Sequence, residues 1–257
     1  MVRQLAVIAA LATVAAAGIL SDCTNIDFRE KWLVADCLTG KDASTRINSA
    51  VFIGNKLTNN DGNLQWQANG GYATYCRDCT FAGTTYTCSC RPNFGQYKWT
   101  SINLEEHIAN YNGFLLSNLT GPARTPSRAS TVPVPASFSY DLRYAATNCT
   151  SPEDYYECND DLPLAQPGDC ANGGGLSLNY AVDCFKNRWY FPWEVYTTFQ
   201  SLQPGAAVSG AWEFTVFGDL ECSGAPLGKA PEGACSKFAE FGVGVRVEPL
   251  FNGDWRV

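Results

Sequence analysis

The sequence predicts an all-β protein: a pseudo-symmetric module of two tandem repeats, followed by a second disulfide-rich, β-sandwich-like domain. The first observation behind this is a repeated spacing. Cys23, Cys37, Ile47, Ile53-Gly54-Asn55 and Asp61-Gly62-x-Leu64 return as Cys76, Cys90, Ile102, Ile108-Ala109-Asn110 and Asn112-Gly113-x-Leu115. In both copies the cysteines stand 14 apart and the isoleucines 6 apart, so residues 23–66 and 76–115 read as two copies of one structural unit. The second observation is short alternating apolar stretches separated by Asp-Gly and Asn-Gly pairs, the punctuation of β-hairpins. The third is the cysteine count, 12 in all, divided evenly about residue 120 as expected of bridges closed within each part.

Along the chain, residues 1–17 carry Arg3, an apolar run and Ala15-Ala16-Ala17, the pattern of a secretory signal peptide. The run is too short for a membrane span, and no later stretch approaches the roughly 20 apolar residues one requires. The chain is therefore expected to be secreted and extracellular. In residues 18–120, strands are expected over 33–37, 63–67, 86–90 and 114–116, with one short helical turn near 103–108. The repeat spacing pairs Cys23 with Cys37 and Cys76 with Cys90, leaving Cys79 and Cys88 as a pair nested in the same hairpin. Metal binding by Cys76, Cys79, Cys88 and Cys90 is the competing use of such cysteines. Each 14-residue pair closes a loop worth on the order of 3 kcal/mol in the chain-entropy picture.

Residues 121–135, rich in Pro, Ser, Thr and Ala, cannot bury enough apolar surface to offset ordering and read as a linker. Two independently folding domains follow from that reading. In residues 136–257, alternation marks strands at 212–217 and 243–247, with turns expected at 166–169 and 172–175. Cys222 and Cys235 flank a turn region at 226–233 and are expected to join across it. Cys149, Cys158, Cys170 and Cys184 leave three pairings open.

Composition excludes several functions. The formal charge of −7 with no basic stripe argues against nucleic acid as a partner. With His107 the single histidine, no Ser-His-Asp or Cys-His arrangement can be assembled without it. Gly54-Asn55 and Gly173-Gly174-Gly175 lack the strand-loop-helix context of a phosphate cradle. Glu153, Asp154, Glu157, Asp160 and Asp161 could supply a glycosidase pair, but their clustering in one polar stretch suits a solvated loop, and the spacing matches no EF-hand. Trp189-Tyr190-Phe191-Pro192-Trp193 reads as core filling before sugar platform. Sequons stand at Asn118 and Asn148. No catalytic residue, metal or cofactor is expected.

Residues 22–119 closely resemble the cyanovirin-N homology family of mannose-binding lectins. The resemblance is strongest in Ile102-Asn103-Leu104-Glu105-Glu106-His107-Ile108-Ala109-Asn110, Cys76-Arg77-Asp78 and Phe81-Ala82-Gly83. It implies a small β lectin with one disulfide per repeat and a sugar site toward each end. Its sites use short polar side chains and backbone groups beside the hairpin Asn and Asp. Residue by residue, the resemblance implies Asn55 and Asp61 for the first end, with the 68–75 connection facing Asn93 and Gln96. For the second it implies Asn110 and Asn112, near Ser21, Asp22 and the segment 38–42. Two departures bear on the first end: an insertion between Asn55 and Gly62, and Asn93 and Gly95 where the compared family example has arginine and glutamine. The expected function is glycan binding without chemistry, with mannose-type oligosaccharides or glycoproteins as partners. A surface interaction protein that lost its sugar site, and an enzyme targeted by a lectin module, are the rivals.

Overall fold

The structure, a computed structural model, describes residues 18–120, 130, 132–145, 174–186, 196–202, 210–242 and 244–257. A short helix α1 (Ile19–Asp22) leads into β1 (Cys23–Arg29), β2 (Trp32–Leu38), β3 (Arg46–Phe52), β4 (Leu57–Asn60), β5 (Asn63–Trp66), β6 (Cys76–Ala82), β7 (Thr85–Cys90), β8 (Lys98–Asn103), β9 (Ile108–Tyr111) and β10 (Phe114–Ser117). The two copies agree in detail. Cys23 faces Cys37 across β1 and β2, and Cys76 faces Cys90 across β6 and β7. Each first strand then bulges, after Thr24 and after Arg77, where Asn25 and Asp78 take left-handed φ values of 52° and 54°. The expected bridges Cys23–Cys37, Cys76–Cys90 and Cys79–Cys88 all form, which removes those thiols from metal ligation.

The hairpin signals hold. Asp61-Gly62 joins β4 to β5 at φ 48° and 80°, and Asn112-Gly113 joins β9 to β10 at 54° and 95°. Gly113 is required twice over, since a Cβ there would also lie 2.4 Å from Ile47 Cγ1. The expected helical turn is Leu104–Glu106, whose second amide, Glu105 N, is capped by Asn103 Oδ1.

After β10 the described chain forms β11 (Tyr140–Ala145), β12 (Gly174–Leu178), β13 (Val182–Lys186), β14 (Tyr196–Leu202), β15 (Trp212–Phe217), β16 (Pro226–Ala230), β17 (Cys235–Gly242), β18 (Gly244–Pro249) and β19 (Gly253–Asp254). They make two four-stranded antiparallel sheets, β12-β11-β14-β17 and β13-β18-β15-β16. Residues of both, among them Tyr140, Leu142, Phe214, Val245 and Phe238, share one buried cluster.

That cluster also contains Trp32, Val34, Ala50 and Phe52 of the first repeat, so the two halves, expected as independently folding domains, share one buried core. Strands β2 and β3 are buried on both faces. Trp32, Val34, Ala50 and Phe52 point toward the C-terminal half, while Leu33, Ala35, Val51 and Ile53 point into the repeat module's own core. The unbroken apolar runs 32–35 and 50–53 are the signature of doubly buried strands. Trp32 lies 4.8 Å from the Phe138 ring and donates to Asn179 O at 2.7 Å. The last strand, β19, adds in parallel to β3.

The turn between β1 and β2 is clasped as well. Glu30 and Lys31 hold φ values of 50° and 68°, unusual for side chains that gain nothing from them. The Glu30 carboxylate accepts from Ser137 Oγ, Phe138 N and Ser139 Oγ at 2.7, 2.8 and 3.0 Å, and Glu30 O accepts from Asn179 Nδ2.

Other expectations are corrected. Cys222 bridges Cys184, not Cys235: the sheet order brings β13 beside β18, and Arg246 on β18 spans from Asp183 O to Cys222 O, so the partner comes from across the sheet rather than along the chain. Part of the expected 226–233 turn is β16, where Gly228 lets the backbone approach Phe238; a Cβ there would sit 2.9 Å from its ring. Gly174 and Gly175, expected in a turn, open β12 and pair with Tyr144 and Arg143. The end of the expected linker is packed: Val132 and Val134 lie against the shared core, and Pro135 O accepts from Arg29. Cys149, Cys158, Cys170, the sequon at Asn148, the carboxylates 153–161 and the aromatic run 189–193 lie outside the described residues.

Candidate functional site

At the second-copy end, Asn110 and Asn112 lie beside Asp22 and the 38–42 segment. Asn110, nearly fully buried, donates to Leu38 O at 2.9 Å and Asp22 Oδ2 at 3.2 Å, and its Oδ1 accepts from Gly113 N at 2.8 Å. One amide thereby ties the β9–β10 hairpin to α1 and to the end of β2. Arg46 donates to the backbone oxygens of Asp22 and Asp36, and Ser21 Oγ donates to Asp22 Oδ1. The loop from Thr39 to Thr45 closes on itself through Thr39 N to Thr45 O. Inside it, hydrogen bonds from Thr45 and then Ser44 hold the Asp42 carboxyl well below the usual carboxylate range. Gly40 sits at φ 73° under Asn112, whose Oδ1 would be 3.0 Å from a Cβ at that position. Asn112 itself is exposed. The result is a rim of Asn112, Gly40, Ser21 and Asp22 over a rigid base of Asn110 and Arg46.

The first-copy end divides. Asp61 Oδ1 accepts from Asn93 N at 2.9 Å and Asn59 Nδ2 donates to Arg91 O at 2.7 Å, so the lengthened hairpin still docks on the turn carrying Asn93 and Gln96, both exposed. Arg91 N in turn donates to Tyr75 O, the expected juxtaposition with the 68–75 connection. Asn55 has other partners. Its Nδ2 donates to Trp255 O at 2.8 Å, and its Oδ1 accepts from Lys56 Nζ at 3.4 Å. Lys56 is fully buried, and burial lowers its pKa to about 8 against the opposing pull of Asp254. Asp254 Oδ2 also accepts from Ser117 N. Asn55 and Lys56 therefore belong to the junction with the C-terminal strand. Sequence spacing could not reveal this, because Trp255 lies 200 residues away.

A third concavity of about 160 Å³ is lined by Gly18, Glu105, His107, Tyr111 and Asn118, among others. His107 stacks on Trp66 at 4.7 Å, and the Trp66 indole donates to Asn118 Oδ1 at 2.7 Å. Burial lowers the His107 pKa against the opposing pull of Glu106 and favours the neutral ring. It is a packing element, as a lone histidine in this segment suggests.

The family model for the CVNH domain matches residues 20–116. Similar solved structures include a MoCVNH3 variant in complex with (N-GlcNAc)4, 18% identical, covering 40% of this chain and 98% of that chain at a TM-score of 0.36. Another is the microvirin:mannobiose complex, 22% identical, covering 39% and 98% at 0.34. The CVNH protein of Gibberella zeae is 21% identical, covering 38% and 94% at 0.33. Residues 20–116 match the CVNH family model, and this segment is built into a larger β structure through strands β2 and β3.

Proposed function

We propose that this protein is an exported lectin that binds mannose-type oligosaccharides of glycoproteins without turning them over, and that its principal site is the second-copy end. The observation that supports this reading most directly is the rim at Asn112, where the exposed Asn112 amide, Ser21 hydroxyl and Gly40 backbone and the half-buried Asp22 carboxylate stand on a base fixed by Asn110. Such a base lowers the ordering cost of binding. Hydroxyl-directed hydrogen bonds then give selectivity, because a mispaired sugar hydroxyl leaves a desolvated polar group. Export is supported by the character of residues 1–17 and by the disulfides. The second half serves in this reading as a scaffold that covers β2 and β3 and takes Asn55 out of the first end.

The deciding experiment is calorimetry of the full chain with a mannose oligosaccharide. Asn112→Ala is expected to weaken binding by about 1–3 kcal/mol, and Asp61→Ala, with a smaller effect, reports on the first end. Failure of the unmutated chain to bind any mannose oligosaccharide would exclude the reading. A second reading, an interaction protein that kept the fold without the sugar site, is favoured by one observation: Asn55 is spent on an intrachain contact.

A further inference from the structure

The outer face of the sheet β6-β7-β8 carries aromatic rings that the fold does not need. Register aligns Arg77, Ser89 and Trp99 in one cross-strand row and Thr80, Thr87 and Ser101 in another. One step toward the chain ends, Tyr75 O accepts from Arg91 N. The Arg77 guanidinium lies 4.1 Å from the centroid of the Tyr97 ring, which brings that ring onto the same face. Tyr75 is 57% exposed, Tyr97 38% and Trp99 64%. A solvated sheet face is normally polar, and a cluster of large exposed apolar groups on it marks a contact surface.

The charge on this face is equally uneven. In a chain of net charge −7, the charged positions in these rows are Arg77 and Arg91. Asp78, in the adjoining bulge, meets Arg77 Nε at 3.4 Å with both side chains exposed, a contact weak enough for a ligand carboxylate to displace. Thr87 and Ser101 hydroxyls bond each other at 2.8 Å and present a polar strip beside the rings.

We propose that this face is a second carbohydrate site, distinct from the second-copy end at Asn112 and bordering the first-copy end through Tyr75 and Arg91, and that its ligand is a uronate-bearing polysaccharide. The chemistry fits on three counts. A pyranose presents a face of C–H groups that packs flat on an indole or phenol ring. Its carboxylate, attached to that same ring, would fall beside the stacked sugar, where Arg77 is already held. The planar guanidinium fork matches a carboxylate in two hydrogen bonds, and the hydroxyl strip meets the sugar's edge. The site does not depend on the mannose reading.

Titration of the full chain with oligogalacturonate, followed by calorimetry and tryptophan fluorescence, tests it. Binding is expected, weakening as salt screens the arginines. Trp99→Ala should lower affinity at least about tenfold, with partial recovery in Trp99→Phe. Arg77→Gln combined with Arg91→Gln should weaken binding similarly and flatten its salt dependence. Asn112→Ala should leave oligogalacturonate affinity unchanged, and Trp99→Ala should leave any mannose affinity unchanged, so the two sites fail or stand separately. Unchanged unfolding midpoints establish that the variants fold. No binding, binding indifferent to Trp99→Ala, or equal affinity for a neutral galactose oligomer overturns the proposal.

Discussion

At the residue scale, identical-looking asparagines do different work. Asn110 is consumed by three structural hydrogen bonds and Asn55 by a carbonyl of the C-terminal strand, whereas Asn112 stands exposed on the turn. Asn110→Ala is accordingly expected to cost about 1–3 kcal/mol of stability, while Asn112→Gly, compatible with the left-handed backbone, leaves the denaturant midpoint nearly unchanged. A comparable loss in both would place Asn112 in the fold rather than on the rim. Lys56 gives a pH signature. Its folded pKa of about 8 lies below the ordinary lysine value of 10.5, so across that window the unfolded chain holds a proton the folded chain has released. The cost of the buried charge is full below the folded value and is relieved as pH rises. The stability difference between the wild type and Lys56→Met should therefore move in the wild type's favour from about pH 7.5 to about 9.5. Urea unfolding across that range checks it; a flat difference means that Lys56 is neutralised by Asp254 throughout.

At the element scale, the β1–β2 turn shows how a contact remote in sequence sets local conformation. Nothing in Glu30-Lys31 resembles the Asn-Gly pair such a turn prefers, and its left-handed backbone is held by bonds to Ser137, Phe138 and Ser139. Glu30→Ala removes the acceptor of all three and is expected to lower stability by at least about 2 kcal/mol; a loss below about 0.5 kcal/mol, the range of ordinary surface changes, would show that the clasp is incidental. The hairpins at Asp61-Gly62 and Asn112-Gly113, by contrast, were legible because the turn chemistry is local. The Cys184–Cys222 bridge was not, since its partners are 38 residues apart and meet only through the pairing of β13, β18 and β15. Peptide mapping without reduction should recover it, and a Cys222–Cys235 peptide would contradict this sheet order.

At the scale of the whole molecule, one doubly buried ladder joins the two halves. Trp32 touches Phe52, Phe138, Trp212 and Phe251 at ring separations of 4.8 to 6.2 Å. Trp32→Ala should cost about 3–5 kcal/mol and lower the melting of both halves together. Calorimetry resolving two transitions, only one of them shifted, would restore the picture of separate units. The sequence by itself determined the repeat, its three bridges, its hairpin turns and its likeness to the CVNH family, because these rest on spacing and local backbone chemistry. It also held a sign of the junction in the apolar runs 32–35 and 50–53, which mark burial on both faces without naming what covers them. Only the tertiary structure decided that the C-terminal half supplies the cover, that Trp255 claims Asn55, and that Asn110 is base while Asn112 is rim. Those outcomes depend on which surfaces meet across as many as 200 residues of chain, and contact at that range is fixed by packing rather than by periodicity.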